Sequence, residues 1–474
     1  MLAAKKYRLN AVRVTPCLGI SVAPLIFSLA IILFLNGCAT YKPKQLPSNP
    51  DLAPNVPKLT VDRSRFSLKS LKPRRFDAED GLDMTAIATF AVINNPDLRA
   101  LRTKQGIARA QLFSVGLLPD PKVSVKMTYP TDKPDQTKNP ILVTGYEIGV
   151  NYNLNYFVTR RAAIDSAAKA VRQVDLDVIW QEWQVMQRSR ILFARLISER
   201  RKLDILKQIR GLYDKRYSRS SRALQEGNLT LDVTGTDLTA KIDADTQVRD
   251  AELLVNKTHH ELNALLGIWP EAQLKLVPSP LPSGLDRQAL DESLNGLPNR
   301  RPDLMALKAG YDSQEAKVYE AVLGQFPSLD VGIVKARDDT DVHTVGHDTT
   351  ISVPIFNGNR GKIAVEKATR EQLLQEYQAR IDQTQQQVDL LWTNQIMLRR
   401  QLNELQEHLP TLARMVEEAR RAYAAQNMSS LTYINMENTL ANKRLKVIDL
   451  IQALWESEIT LDTLLANQVG SDQG

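Results

Sequence analysis

Apolar residues recur at alternating steps of three and four over a long stretch of the chain, from about residue 359 to residue 426. The positions of this seam are Leu374, Tyr377, Ile381, Thr384, Val388, Leu391, Gln395, Leu398, Leu402, Leu405, Leu409, Leu412, Val416, Ala419 and Tyr423. Such a sustained heptad predicts one face of a coiled coil, and a helix of this length would reach roughly 100 Å. Pro410 lies inside the stretch and is expected to kink the helix. A weaker heptad between residues 159 and 217 predicts a second long helix.

Four shorter segments alternate between apolar and polar residues, which predicts strands with one apolar and one polar face. The apolar positions are Val123, Val125, Met127 and Tyr129; Ile148, Val150, Tyr152 and Leu154; Leu329, Val331 and Ile333; and Ile351, Val353 and Ile355. They form two predicted strand hairpins, at about 121–155 and 327–356. The sequence therefore predicts a mainly α chain with a small β part.

Two halves of the chain carry matching segments. "NPDLRAL" at residues 95–101 corresponds to "RPDLMAL" at residues 301–307, and residues 94–127 align with residues 300–333 without a gap. In both copies a proline opens a helix and an aspartate follows in its positive first turn. We therefore predict an internal two-fold repeat. Repeat 1 covers 81–269 and repeat 2 covers 286–468, with a linker at 270–285 and a tail at 469–474. Each repeat contains a helix, a strand hairpin and a long helical hairpin.

Residues 1–37 have the features of a signal peptide, because basic residues precede an uncharged, mostly apolar run from Leu18 to Leu35. The following Asn36-Gly37-Cys38 completes a resemblance to the bacterial lipobox, so Cys38 is the expected site of lipidation by acyl chains such as palmitate. The apolar run is also long enough for a retained anchor helix, which is the alternative. Ala39 follows where an aspartate would favour the inner membrane, so the outer membrane is the expected destination. Residues 38–80 are rich in proline without periodicity and predict an extended, lipid-anchored strap.

Composition and motifs argue against several function classes. The 61 basic and 54 acidic residues give a net charge of +7, but the basic residues are dispersed, which argues against nucleic-acid binding. Neither a nucleophile elbow, a phosphate loop nor paired catalytic carboxylates occur, so we predict no enzyme and no cofactor. His343 and His347 are four residues apart in a segment predicted to be an exposed loop between strands. Because that spacing aligns two ligands only on a helix, no metal site is predicted there.

Four strands from one chain cannot close a barrel in a membrane, because the two edge strands would keep unpaired backbone groups. Copies of the chain must therefore complete it. Two copies would give eight strands, a barrel filled by its own side chains, whereas three would give twelve and begin to leave a lumen. A soluble sheet packed on helices is the alternative.

Three motifs together resemble the TolC-like outer membrane efflux proteins, in particular their lipoprotein branch. They are the paired "PDL" segments, "PIFNGNRGKIAVEKA" at residues 354–368 and "ELNALLG" at residues 261–267, and the resemblance extends over about residues 83–467. It implies a homotrimer with a 12-stranded membrane β-barrel, built from four strands per subunit. Long antiparallel coiled-coil helices would continue it as an α-barrel into the periplasm of a Gram-negative bacterium.

The resemblance also implies a function and partners. The chain would be a passive outer-membrane exit duct for small molecules, served by a periplasmic adaptor protein and an inner-membrane transporter. One alternative is the outer-membrane component of a type I protein or oligosaccharide secretion system. Another is a lipid-anchored periplasmic coiled-coil scaffold without a channel.

In this family the tips of the helical hairpins contact the adaptor and close the pore. The segment at residues 226–233 keeps a glycine and an aspartate, whereas the segment at residues 426–438 has Asn427 where glycine is common and Tyr433 where aspartate is usual. The resemblance therefore assigns these roles to Gly227, Asp232, Asp237, Asn427, Tyr433 and Glu437. Asp232, Asp237 and Glu437 would supply an acidic ring at the closed end. Solvated carboxylates at helix ends are the alternative.

Overall fold

The computed structural model describes residues 41–54, 59–60, 75–76, 81–131, 142–281, 284 and 286–466. The chain divides into two compact units, Met1–Asp51 and Leu52–Gly474. In the first, residues 41–51 are exposed and have no regular secondary structure. The predicted signal peptide and Cys38 lie outside the described residues, so both stay predictions.

The second unit is mainly helical, with short strands in two places. Its elements, in chain order, are β1 (Leu59–Thr60), β2 (Arg75–Phe76), α1 (Met84–Asn94), α2 (Pro96–Gly116), β3 (Lys122–Thr128), β4 (Gly145–Asn153), α3 (Asn155–Gln225), α4 (Leu231–Leu266), α5 (Arg287–Asn295), a 3-10 turn (Leu297–Asn299), α6 (Pro302–Leu323), β5 (Ser328–Arg337), β6 (His343–Ser352), α7 (Arg360–Ala424) and α8 (Ser430–Leu464). The order from α1 to α4 is the order from α5 to α8. This is the order that the predicted repeat requires.

The short helices α1 and α5 begin at equivalent aspartate caps. Asp83 accepts a hydrogen bond from the backbone N–H of Ala86 at 2.7 Å, and Asp286 accepts one from Ala289 at 2.7 Å. Each side chain thereby satisfies one of the free N–H groups at a helix start.

The two long helices carry the coiled-coil packing. α3 has 71 residues and α7 has 65, so each is roughly 100 Å long. The buried residues of α7 are Thr384, Val388, Gln395, Leu402, Val416 and Ala419. All six lie on the predicted seam, which is confirmed; Leu402, for example, packs on α8 against Leu450 and Leu454. The helix continues across Pro410, and the kink stays a prediction.

The shorter helices pack on different parts of the long ones. α2 lies against the start of α3, where the Tyr156 hydroxyl donates to the carbonyl of Val115 at 2.7 Å. α6 also packs on α3, and the hydroxyls of Ser166 and Ser313 are 3.1 Å apart. The returning helices α4 and α8 pack on the remaining length of α3, and α8 packs on α7 as well. One end of the bundle therefore joins the strands. The other end consists of the two turns that connect α3 to α4 and α7 to α8.

Segments near the start of the second unit attach to the chain after α4. The backbone N–H of Ala53 donates to the carbonyl of Gly267 at 3.1 Å, and the N–H of Trp269 donates back to Ala53 at 3.0 Å. The N–H of Leu82 donates to the carbonyl of Lys275 at 2.8 Å. β1 and β2 pair with each other in antiparallel orientation.

The four longer strands form one antiparallel sheet in the order β3-β4-β5-β6. Val123 lies opposite Val150, and Ile333 lies between Val150 and His347. The existence of all four strands is confirmed.

The predicted position of β6 is wrong by several residues. The strand ends at Ser352, before Val353 and Ile355, because Pro354 has no N–H to donate to a strand ladder. It begins at His343, so His343 and His347 are strand residues and the prediction of a loop there is wrong. The connecting loop is confined to residues 338–342.

Across the part of the chain that the structure describes, no helix is both long enough and apolar enough to cross a membrane.

Candidate functional site

The sheet presents one face that is mostly apolar and mostly exposed. Its register places the following apolar residues on this apolar face: Val123, Val125, Met127, Tyr146, Ile148, Val150, Tyr152, Leu329, Val331, Ile333, Val345 and Ile351. Val125, Ile333 and Val345 are 62%, 60% and 74% exposed. A contiguous exposed surface of this kind marks contact with lipid or protein rather than with water.

The opposite, polar face of the sheet suits water. It carries Lys122, Ser124, Lys126, Thr128, Glu147, Asn151, Asn153, Asp330, Asp348 and Thr350. Lys126 lies opposite Glu147, and the Asn153 amide donates to the Asp330 carboxylate at 2.9 Å. Because charges of both signs are interspersed, this face has the character of the lining of an aqueous channel.

The sheet is open on both sides. β3 and β6 each pair with one neighbour within the described residues, so each leaves a row of backbone donors and acceptors without a partner strand. Exposed edges of this kind are normally covered or paired, and in a lipid environment they must be paired. A second copy of the chain is the natural source of the missing strand.

Aromatic side chains surround the helical end of the sheet. The rings of Tyr152 and Phe157 are 6.0 Å apart, and Phe326 and Phe356 are 59% and 92% exposed. Aromatic residues are enriched at the boundaries of the apolar band in membrane barrels. The boundary between apolar face and helices is thus marked by the residue types expected at a membrane interface.

The duplicated "PDL" segments lie where a returning helix ends and the next helix begins. The Asn95 side chain caps α2 by accepting from the N–H of Leu98 at 2.9 Å, and its amide donates to the carbonyl of Leu265, near the end of α4, at 2.9 Å. In the second half, the Arg301 side chain donates to the carbonyl of Leu464, at the end of α8, at 3.5 Å. Equivalent residues thus join equivalent helix ends by different chemistry.

Among the residues that the structure describes, Arg301 is the largest fully buried side chain, at 2% exposure. Its guanidinium donates to both oxygens of Asp303, at 2.7 and 3.0 Å, and to the Thr384 hydroxyl of α7 at 2.7 Å. Its Cζ lies 4.9 Å from the centre of the Trp180 ring of α3. One side chain therefore connects α3, α6, α7 and α8. The sequence analysis missed this role, because nothing in the local pattern marks an arginine before proline as buried.

The first tip, Glu226–Thr230, is a glycine-terminated helix end. Gly227 has φ +74°, its N–H donates to the carbonyl of Leu224 at 3.0 Å, and the N–H of Asn228 donates to Ala223 at 2.7 Å. This is the Schellman motif, in which a left-handed residue, usually glycine, closes the helix. The sequence-predicted Gly227 therefore has a structural role in shaping the tip.

The second tip, Ala425–Ser429, has the same geometry with a different residue in the left-handed position. Gln426 has φ +64°, its N–H donates to Tyr423 at 3.0 Å, and the N–H of Asn427 donates to Ala422 at 2.9 Å. Gln426, not Asn427, is thus the structural equivalent of Gly227. Asn427 itself is exposed at the apex of the turn.

Asp237 is buried within the first hairpin rather than exposed at its tip. It is 4% exposed and pairs with Arg216 of α3 at 2.6 Å. Asp232, by contrast, is exposed in the first turn of α4. Hydrogen bonds from the Thr230 side chain and the Val233 backbone lower the pKa of Asp232, so its charge persists at the helix start.

Tyr433 and Glu437 belong to a cluster that holds α7 and α8 together and connects them to α3. The Tyr433 hydroxyl donates to Glu437 at 2.7 Å, and Arg420 donates to the same carboxylate at 2.9 Å. The rings of Tyr433 and Tyr423 stack at 5.0 Å, and Arg219 of α3 donates to the Tyr423 hydroxyl. Burial, followed by the carboxylate of Glu437, raises the pKa of Tyr433, so its hydroxyl stays protonated and able to donate.

The three predicted ring carboxylates are therefore not brought together within this chain. Asp237 pairs with Arg216 on one hairpin and Glu437 pairs with Arg420 on the other, while Asp232 alone is exposed. As contributors to an acidic ring, Asp237 and Glu437 are poor candidates, because each charge is already neutralised by a neighbouring arginine. The sequence could not reveal this, since both arginines come from a different helix.

The two histidines of β6 are likewise without a metal-binding partner set. His343 lies against the Tyr146 ring at 6.4 Å and against Asp341 at 3.9 Å. Among the residues that the structure describes, no group of three or more His, Cys, Asp or Glu side chains is arranged to hold a metal ion.

An open sheet with one apolar and one polar face, joined to helices of roughly 100 Å, defines the subunit of an oligomeric membrane channel with a long helical extension. Residues 294–467 match the family model described as outer membrane efflux protein. This match agrees with the resemblance to the TolC-like outer membrane efflux proteins that the sequence motifs indicated.

Individual relatives agree with this assignment. The chain is 23% identical over 466 residues to the probable outer membrane lipoprotein SilC of Salmonella typhimurium, covering 93% of this chain and 98% of that protein. It is 23% identical over 406 residues to the cation efflux system protein CusC of Escherichia coli O6:H1, covering 79% and 84%.

Solved structures share the fold. The crystal structure of CusC matches with a TM-score of 0.63 at 20% identity and covers 90% of this chain and 99% of that chain. The CmeC outer membrane channel of Campylobacter jejuni matches with a TM-score of 0.68 at 15% identity and covers 89% and 96%.

Proposed function

We propose that the chain is the passive outer-membrane exit duct of a tripartite efflux system in a Gram-negative bacterium. The observation that carries the proposal is the four-stranded sheet, which has an apolar face, a polar face and two unpaired edges within the described residues. The strands would insert in the outer membrane with the apolar face toward lipid. The helices would extend into the periplasm, toward an adaptor protein and an inner-membrane transporter.

The oligomer that fits these edges is a homotrimer. Three copies supply twelve strands, enough to close a barrel with an open lumen, if β3 of one copy pairs with β6 of the next. Within a chain, α4 and α7 are the outermost members of the row α4, α3, α8 and α7. Contact of α4 with a neighbour's α7 would close the helices into a second ring.

The two tips are the proposed site of adaptor contact and pore closure. Gly227 and Asn427 are exposed at the apices, and Leu231 and Leu431 beside them are 74% and 50% exposed. The cluster around Tyr433 and Glu437 would hold α7 and α8 against α3, keeping the closed end narrow. Asp232 remains the exposed carboxylate of the six residues assigned to the tips.

We also propose that cargo selection belongs to the transporter and not to this duct. The described part of the polar face carries Lys122, Lys126, Glu147, Asp330 and Asp348, two basic and three acidic residues that are spread over four strands. A lining of mixed charge favours no one class of solute.

Planar-bilayer recording of the purified trimer tests the channel directly. We expect small conductance for the native chain and larger conductance for Arg420→Ala combined with Tyr433→Phe, because these changes remove the hydrogen bonds that hold α7 and α8 together at the second tip. Glu404→Gln, a change on α7 away from the tips, is the matched control and should behave as native. A complete lack of conductance in all three proteins would contradict the duct and favour a periplasmic scaffold.

Lipidation at Cys38 is a separate proposal, supported by the lipobox-like sequence. Cys38→Ala should abolish incorporation of radiolabelled palmitate while leaving the trimer in the outer membrane, because the barrel and not the acyl chain would hold it there. Continued labelling of the variant would overturn the assignment.

A further inference from the structure

A lysine lies within the apolar face of the sheet. Lys335 is exposed on β5, with Ile148 opposite it on β4 and Val345 opposite it on β6. Two positions away on the same face and strand, Ile333 is 60% exposed. A cationic side chain on the lipid-facing side of a barrel costs about 2–4 kcal/mol at the middle of the bilayer and about 0–1 near its boundary.

The position of Lys335 places it near one boundary. It precedes Arg337, the last residue of β5, by two residues, which is about 7 Å along the strand. This is the end of the sheet that faces away from the helices, next to the loop at residues 338–342. The long lysine side chain can therefore extend its ammonium group toward the boundary while its stem stays on apolar surface.

The neighbouring basic side chains are already engaged. Arg337 pairs with Asp341 at 2.7 Å, and His343 approaches the same carboxylate at 3.9 Å. Lys335 has no ion pair or hydrogen bond with any described residue, and the acidic side chains of its neighbouring strands, Glu147 and Asp348, lie on the polar face. The ammonium group of Lys335 is thus available to bind an anion from outside the protein.

An apolar trough begins beside Lys335. It has a volume of about 660 Å³ and is lined by Ile148, Val150, Val331, Gly332, Ile333, Lys335 and His347. Lys335 and His347 supply the polar side chains of this lining, and the rest of it is aliphatic apart from Gly332. A hydrocarbon chain is the ligand that such a lining accepts, and a negatively charged head is the group that Lys335 accepts.

From this arrangement we propose that Lys335 and the trough form a binding site for a phosphate-bearing membrane lipid in the leaflet at the loop end of the barrel. The phosphate accepts a charge-assisted hydrogen bond from the ammonium group of Lys335. An acyl chain lies along Ile148, Val150 and Ile333. This inference rests on the proposed insertion of the sheet in the outer membrane, and three copies would give three sites per trimer.

Native mass spectrometry of the delipidated trimer in neutral detergent tests the site. The probe is diphosphoryl lipid A, titrated against the native chain, Lys335→Gln, Lys335→Arg and Lys126→Gln. Lys126 is the matched control, because it is a strand lysine of the same sheet on the polar face. We expect up to three bound lipids per native trimer, affinity roughly tenfold lower for Lys335→Gln, since tenfold corresponds to about 1.4 kcal/mol, and near-native affinity for the other two variants.

Three outcomes overturn the proposal. Equal affinity of Lys335→Gln and Lys126→Gln would show that the charge on the apolar face is not used. Equal binding of lipid A from which the phosphates have been removed would show that the phosphate is not recognised. Displacement of lipid A by an equimolar amount of inorganic phosphate would identify a site for free phosphate instead of a lipid. Planar-bilayer conductance of Lys335→Gln should remain native, so loss of lipid binding and loss of the duct function are distinguishable.

Discussion

Gly227 and Gln426 have left-handed backbone conformations at equivalent positions of the two tips. A glycine adopts this conformation without steric cost, whereas a glutamine places its Cβ close to the following carbonyl, which costs about 1 kcal/mol. The first tip is therefore relaxed and the second is strained. Strain of this kind persists only where the surroundings impose it, and at the second tip the stacked Tyr423 and Tyr433 hold both flanking helices.

Gln426→Gly is expected to stabilise the second tip by about 1 kcal/mol. Hydrogen–deuterium exchange of the amides around residues 421–433 should slow by roughly fivefold, which is the same free energy expressed as an opening equilibrium. Asn427→Gly, one residue along and without a positive φ, is the control and should leave the exchange unchanged or faster. A slower exchange in the control alone would contradict the assignment of the strained position.

Asp237→Ala is expected to destabilise the first hairpin by about 3 kcal/mol, because it leaves the nearly buried Arg216 without its partner. Replacing both residues, Arg216→Met with Asp237→Leu, should restore most of the loss, since apolar side chains of similar size remove the unpaired charge. Thermal unfolding of the trimer followed by tryptophan fluorescence measures both. A double variant no more stable than Asp237→Ala would show that the aspartate acts elsewhere, for example in the pore.

At the scale of helices and strands, the periodicity of apolar residues predicted which segments form helices and strands. It could not predict the contacts between elements that are distant in sequence. The α7 seam and all four strands follow from spacing alone, since burial on one side fixes the period. The junction residues Asn95 and Arg301 were recognised as a repeat, but their contacts with Leu265 and Leu464 depend on where α4 and α8 end. His343 and His347 were misplaced because polar strand residues near a membrane boundary look like a loop in sequence.

The central helix α3 packs against α2, α4, α6 and α8 and buries carboxylates within its contacts. Glu199 is 4% exposed, and one of its oxygens has no hydrogen-bond partner among the described residues. Burial is the main cause that raises the pKa of Glu199, and a hydrogen bond from Thr258 opposes it. The folded state therefore binds this proton more tightly than the unfolded chain does.

Stability contributed by protonated Glu199 is present below the ordinary pKa of a glutamate and is lost as pH rises through the raised pKa. Glu199→Gln should consequently stabilise the trimer at pH 7.5 by about 1 kcal/mol and flatten the fall in melting temperature between pH 5 and pH 7.5. Glu252→Gln, at an exposed pair with Lys207, is the control and should keep the native slope. An unchanged slope in Glu199→Gln would contradict burial of this carboxylate.

At the scale of the whole molecule, the two faces of the sheet determine what surrounds the protein. The apolar face and the polar face alternate residue by residue, so neighbouring positions of one strand differ completely in environment. Val123 and Ser124 on β3 are such a pair, and they lie opposite Val150 and Gly149. Substitution at these two positions separates a lipid-facing role from a general effect on the strand.

Val123→Arg is expected to prevent assembly in the outer membrane, because a cation at the middle of the apolar band costs about 2–4 kcal/mol in each of three copies. Ser124→Arg should be tolerated, since its side chain faces the aqueous lumen. Semi-native electrophoresis of outer-membrane fractions reports the amount of trimer. Equal loss in both variants would indicate that the strand is sensitive for a reason other than its lipid-facing side.

The unpaired edges of β3 and β6 have a consequence for how the protein is made. A single chain is not stable in a bilayer, because both edge strands are unpaired there. Two chains still leave two edge strands unpaired, so insertion and association must happen in one event. Formation of the duct then depends steeply on the concentration of chains waiting in the periplasm. Cells that synthesise the protein slowly should hold a pool of unassembled subunits, and modest increases in synthesis should raise the number of finished ducts disproportionately.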